Sequence, residues 1–174
     1  MYVSLGGGGE VTAARTLPSL VRQLRARGWH VVVGAGPLYQ GPEVRGPGIT
    51  WLSRYVPVEL FPGVDAAVAA AGYNTFHELM FAGVPTVFTP LPRIADDQAE
   101  RARRAEDAGA GRVATRLEDV PELLEAPGSA EAARALVPAN GARHAAARCL
   151  EPLVPRHDLE LALGLLTDEL LAAA

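Results

Sequence analysis

The sequence predicts a doubly wound, Rossmann-like α/β domain: a parallel sheet of about six strands followed by a helical tail. Three observations carry this reading. Short apolar runs with a strand signature alternate with segments of helical period. The turns that lead out of the strands are short and rich in glycine or proline. The chain has 174 residues, 49% hydrophobic and 21% charged, which is enough for one domain with its own core.

Each element follows in order. Tyr2-Val3-Ser4-Leu5 is a short strand that ends at Gly6-Gly7-Gly8-Gly9. Val11 to Arg27 is helical, with Leu17, Leu20, Val21 and Leu24 on one face and Gly28 closing it. His30-Val31-Val32-Val33 is rich in β-branched residues and reads as a buried strand ending at Gly34-Ala35-Gly36-Pro37. A loop from Leu38 to Gly48 precedes a third strand, Ile49 to Leu52. Pro57 to Phe61 reads as one helical turn. Ala66 to Ala69 is the fourth strand, and Gly72-Tyr73-Asn74-Thr75 turns into a helix that opens at Asn74 or Thr75 and runs to Ala82. Thr86 to Thr89 is the fifth strand, stopped by Pro90. Asp96 to Ala108 is an Arg- and Glu-rich helix, and Arg112 to Ala114 is an edge strand. From Val120 onward the chain reads as helical pieces broken by Pro127, Pro138, Pro152 and Pro155. Residues 1–150 are expected to form the Rossmann-like domain and 151–174 a C-terminal helix. In that helix Leu159, Leu163, Leu166 and Leu170 make an apolar stripe, which packs either on its own domain or on a partner.

Composition excludes several classes. A net charge of −4 argues against a nucleic-acid groove. All 16 basic residues are arginine, which removes lysine Schiff-base chemistry and the P-loop lysine. The single cysteine, Cys149, rules out an internal disulfide framework and a cysteine-based zinc cluster. The longest uninterrupted apolar stretch, Ala66 to Ala71, is far below the roughly 20 residues of a spanning helix, so no direct membrane span is expected. The opening residues carry no basic signal-peptide region, and a cytoplasmic location is expected.

In open parallel sheets, ligands bind beyond the carboxyl ends of the strands. Three turns meet that condition: Gly6 to Glu10, Gly72 to Glu78 and Pro92 to Gln98. Consecutive glycines let backbone N–H groups approach an anion or a sugar oxygen. A helix start after Gly72 offers free N–H donors to a pyrophosphate, although Asn74 or Thr75 would serve equally as a plain cap. Glu78, one turn inside, either offsets the helix dipole or accepts hydrogen bonds from ribose hydroxyls. Asp96 is a candidate cap for the following helix, leaving Asp97 and Gln98 either solvated or facing a polyhydroxyl group. His77 faces either the ligand or the core. Neither glycine cluster completes a dinucleotide fingerprint or a Walker motif.

Gly72 to Glu78, Gly83-Val84-Pro85, Pro90-Leu91-Pro92, Asp97-Gln98, Ala102 and Ala108 to Gly111 together resemble the C-terminal half of GT-B glycosyltransferases. The closest pattern is the group related to the peptidoglycan N-acetylglucosaminyltransferase, the glycosyltransferase family 28 C-terminal domain. The opening Ser4 to Gly8 matches that domain's first strand and glycine loop, so the resemblance covers about residues 2–115 well. It implies a domain that binds a UDP-sugar donor for transfer of a hexosyl or N-acetylhexosaminyl group. In this resemblance Gly7 and Gly8 border the phosphate and sugar, Tyr55 and Val56 line the base, and Gly72, Asn74 and Thr75 form the pyrophosphate turn. Glu78 holds the ribose, and Asp97 with Gln98 hold sugar hydroxyls. Arg101-Ala102 stands where the family often has Asn-Ala. The resemblance further implies metal-independent transfer with no cofactor. It also implies an acceptor-binding N-terminal half or separate subunit that supplies the general base. A nucleotide-sugar hydrolase or epimerase on the same fold, and a non-catalytic nucleotide-binding or interaction module, are the alternatives.

Overall fold

The computed structural model describes residues 1–6, 11–53, 56, 58–92 and 96–151. Contacts divide the chain into two compact units, Met1–Pro138 and Ala139–Ala174. The sequence reading placed the boundary after residue 150, and the leucine stripe from Leu159 to Leu170 lies outside the described residues.

The first unit is a six-stranded sheet, every neighbouring pair parallel, in the order β3-β2-β1-β4-β5-β6. The strands are β1 (Tyr2–Ser4), β2 (Val31–Gly34), β3 (Ile49–Leu52), β4 (Ala67–Ala69), β5 (Thr86–Phe88) and β6 (Gly111–Val113). The helices are α1 (Val11–Ala26), α2 (Tyr73–Ala82), α3 (Gln98–Asp107), α4 (Val120–Leu123) and α5 (Ala130–Leu136). The single turn expected at Pro57 to Phe61 is a 3-10 helix over Val58–Gly63. In the second unit, Arg148 in the last turn of α6 (Ala142–Leu150) pairs with Glu151 at 2.9 Å.

Strand alternation divides the core into two layers. Val3, Val31, Val33, Val68 and Val87 face the side covered by Leu17, Leu20, Val21 and Leu24 of α1. Their neighbours Tyr2, Ala67, Ala69 and Phe88 face Phe76, Leu79 and Met80 of α2 and Ala102 and Ala105 of α3. The alanines of β4 are small, which leaves room on this face for rings: Phe76 lies 5.2 Å from Phe88, and Tyr2 lies 5.1 Å from Phe61. Gly83 ends α2 in the left-handed conformation at φ 75°, and its N–H bonds back to the Met80 carbonyl at 3.0 Å.

The order of strands creates a reversal between β1 and β4. The chain first builds outward from β1 to β2 and β3, then returns to β1's other side and builds β4, β5 and β6. Helices following β1 and β4 therefore leave on opposite faces, and a crevice opens at the carboxyl ends of these two strands.

Leu79 is fully buried, whereas Phe81 on the same helix is 44% exposed. Leu79→Ala is expected to cost about 2–5 kcal/mol in urea denaturation and Phe81→Ala less than about 1 kcal/mol. Equal costs would show that α2 does not pack by this face.

Candidate functional site

A cleft of about 600 Å³ opens at this reversal point. Its floor is the ends of three neighbouring strands: Tyr2, Ser4 and Gly6 from β1, Gly34 and Gly36 from β2, and Ala70 and Gly72 beyond β4. Tyr73, Asn74, Thr75 and Glu78 of α2 form one wall, Val56 and Phe61 stand at one side, and Leu91 and Gln98 complete the lining. The three sequence-distant turns thus contribute to one rim. Of the residues expected there, Val56, Gly72, Asn74, Thr75, Glu78 and Gln98 line the cleft. Gly7, Gly8 and Tyr55 lie outside the described residues.

The start of α2 differs from the expected one. The helix begins at Tyr73, and Gly72 is its N-cap, with extended backbone at φ −61°, ψ 149°. Its carbonyl accepts the Phe76 N–H at 2.9 Å, which is the first helical bond. Asn74 and Thr75 therefore lie inside the helix instead of capping it. Glycine has no side-chain oxygen to offer, so no side chain caps the helix. The orphan N–H groups and positive dipole end of the first turn are directed at the cleft.

Glu78 follows one turn later. Burial pushes its carboxyl above the usual carboxylate range. It shares the cleft lining with Tyr2, whose own pKa is raised by burial, lowered by a hydrogen bond with Ser4 and raised again by the charge of Glu78. A side chain at position 34 would place its Cβ 2.5 Å from the Tyr2 hydroxyl and 3.0 Å from a Val56 methyl, so any larger residue there forces the Tyr2 ring to shift. The Tyr2–Ser4–Glu78 group was not legible as a site: Tyr2 reads as an ordinary strand residue. Strand parity offered a signal, because Tyr2 and Ser4 share one face of β1.

The loop before α3 also departs from expectation. Asp97, not Asp96, caps this helix, with Oδ1 accepting the Glu100 N–H at 2.9 Å. The reason is that Asp96 is drawn into a pair with Arg101, at 2.6 Å. Asp97 is exposed and does not line the cleft. Gln98 is only 6% exposed; its Oε1 accepts the Leu91 N–H at 3.0 Å and its Nε2 donates to Asp96 at 3.1 Å. It ties the proline loop to α3 from within the cleft wall. His77 does not line the cleft: Nδ1 is 2.7 Å from the Tyr73 carbonyl and its ring packs 4.2 Å from that of Tyr73.

Fold and cleft together define the class: a Rossmann-like domain of the kind that makes one half of a GT-B fold. The chain belongs to the glycosyltransferase family 28 C-terminal domain, whose family model matches residues 58–149. The UDP-N-acetylglucosamine--N-acetylmuramyl-(pentapeptide) pyrophosphoryl-undecaprenol N-acetylglucosamine transferase of Cutibacterium acnes is 30% identical over 172 residues. That match covers 86% of this chain and 45% of the relative, so the chain spans about half that relative's length. The glycotransferase of kitacinnamycin superposes with a TM-score of 0.61 at 23% identity, over 78% of this chain and 37% of that one. MurG of Acinetobacter baumannii superposes at 0.52 and 22% identity, over 76% of this chain and 43% of that one. Among the described residues, no helix is long and apolar enough to cross a membrane.

A carboxyl whose folded pKa is raised above its unfolded value favours the fold while protonated. That advantage is lost as pH rises through the folded pKa. At pH 7 the charged Glu78 therefore costs stability. Glu78→Gln is expected to raise Tm at pH 7, with the gain shrinking as pH falls into the carboxylate range. A Tm gain that persists at pH 3, or a loss at pH 7, contradicts this reading of Glu78.

Proposed function

We propose that the cleft is the donor site of a glycosyltransferase that binds a UDP-sugar and transfers its hexosyl or N-acetylhexosaminyl group. The observation that carries this reading is the uncapped start of α2, open to the cleft between strand-end glycines, with a partly buried carboxylate one turn inside it. An unsatisfied helix N-terminus suits a diphosphate. Glu78, which lines the cleft together with Tyr2, accepts hydrogen bonds from the ribose hydroxyls, and the base is assigned to Val56 and Tyr55. Gly7 and Gly8 are assigned to the phosphate and sugar. The sugar hydroxyls meet Gln98 at the cleft wall.

During transfer an acceptor oxygen attacks the sugar's anomeric carbon as the bond to the diphosphate breaks. Negative charge grows on the departing diphosphate, so fixed N–H dipoles at Gly72 to Thr75 stabilise the transition state more than the ground state. The chain's residues thereby bind, orient and discharge the donor. An acceptor-binding half, in the same polypeptide or as a separate subunit, completes the cleft and brings the base that takes the acceptor's proton. The relative's name, with its UDP-N-acetylglucosamine donor, supports the UDP-sugar reading. A nucleotide-sugar donor fits a cytoplasmic protein.

Calorimetry of the chain with UDP, GDP, dTDP and their sugars tests this. UDP is expected to bind, and Glu78→Ala to weaken it by about 1–3 kcal/mol by removing a buried polar partner. The same substitution should leave 2′-deoxy-UDP less affected, since one of the two hydroxyls is already missing. Failure of every nucleotide to bind at millimolar concentration, or equal losses for UDP and its deoxy form, would reject the assignment.

A further inference from the structure

We propose that Arg101 is a positioning residue of the donor site, one that locks the turn entering α2 to the loop entering α3 so that the diphosphate and sugar ends of the donor are held in register. This rests on the donor-site reading above. Arg101 sits on the first turn of α3 with its side chain 16% exposed. One guanidinium nitrogen donates to the Ala71 carbonyl at 2.5 Å, and another pairs with Asp96 at 2.6 Å. The second oxygen of Asp96 accepts from Gln98 at 3.1 Å. The guanidinium carbon also lies 5.5 Å from the centre of the Tyr73 ring, and that ring is 63% exposed and lines the cleft.

Two observations show why an arginine is needed. Ala71 is fully buried just past the end of β4, and a buried carbonyl beyond the strand pairing needs a donor. Arg101 supplies it across 30 residues of sequence. The planar fork satisfies that carbonyl and a carboxylate at once while its face lies over Tyr73, which a lysine point charge cannot do. Ala71 immediately precedes Gly72, the cap of the open helix end, and Asp96 immediately precedes the Asp97-Gln98 pair. The cation's charge is offset by Asp96, so its contribution is geometric: it fixes the spacing between the two turns. A small misplacement of donor-binding groups is costly in affinity and rate.

The test is calorimetry of the full chain with UMP, UDP and UDP-glucose, for the unaltered protein, Arg101→Ala, Arg101→Lys and Asp96→Asn, together with Tm and amide exchange. Arg101→Ala is expected to keep UMP affinity within about twofold while reducing UDP and UDP-glucose affinity by on the order of tenfold or more, the sugar form most. Arg101→Lys should not restore it, and Asp96→Asn should show the same ranking. Without ligand, exchange is expected to accelerate together in segments 72–75 and 96–98 of Arg101→Ala. Equal losses for all three ligands, unchanged ratios, full rescue by lysine, or exchange changes confined to α3 would overturn the positioning role. If Arg101→Ala does not fold, Arg101→Lys and Asp96→Asn decide the matter by the same ratios. If the unaltered chain binds none of the three, the donor-site reading falls and the positioning role with it. Binding by the unaltered chain with unchanged ratios in the variants rejects the Arg101 inference alone.

Discussion

A helix that begins on glycine depends on something outside itself to satisfy its first N–H groups, and that constraint organises this domain. Gly72 ends the stretch after β4 and caps α2 with backbone alone. Had a serine or aspartate stood there, its side chain would have filled the helix end. The open end would have little meaning on a surface helix. Here the parallel sheet carries it to the rim where β1 and β4 diverge, and the glycine-lined strand ends leave space in front of it.

The core is built to keep that rim fixed. On the α2 face, small alanines of β4 stand under aromatic rings, so the helix lies close to the sheet and its start is set by packing instead of by a capping side chain. On the opposite face, valines of the central strands meet the leucines of α1. Parallel sheets covered on both faces in this way need nearly continuous apolar strands, as Val31 to Val33 and Ala66 to Ala71 show.

Glu78 opposes this economy. A carboxylate partly withdrawn from water, near a buried phenol, is unfavourable for the isolated fold. Its position makes physical sense where a ligand provides the hydroxyl donors that water no longer supplies. Arg101 shows the reverse case: a charged group held by a carbonyl, a carboxylate and an aromatic face, so that its burial is matched by partners.

Much of the fold was determined by the sequence alone. Six strands, their helices and the breaks at Pro127 and Pro138 followed from periodicity and punctuation, because hydrophobic spacing and proline geometry act locally. Gly72, Asn74, Thr75, Glu78 and Gln98 were also legible as rim residues, since a parallel sheet sends every strand-to-helix turn to one edge. Only tertiary structure decided the rest. Whether α2 was capped by Asn74, Thr75 or Gly72 depended on how β4 delivers the chain into the helix. Asp97 became the cap of α3 because Asp96 found Arg101. Tyr2 joined Glu78 because β1 lies beside β4, a pairing between residues 65 or more positions apart that no local pattern encodes. Local propensity chooses the elements, but contacts between distant segments choose which polar groups remain free to meet a ligand.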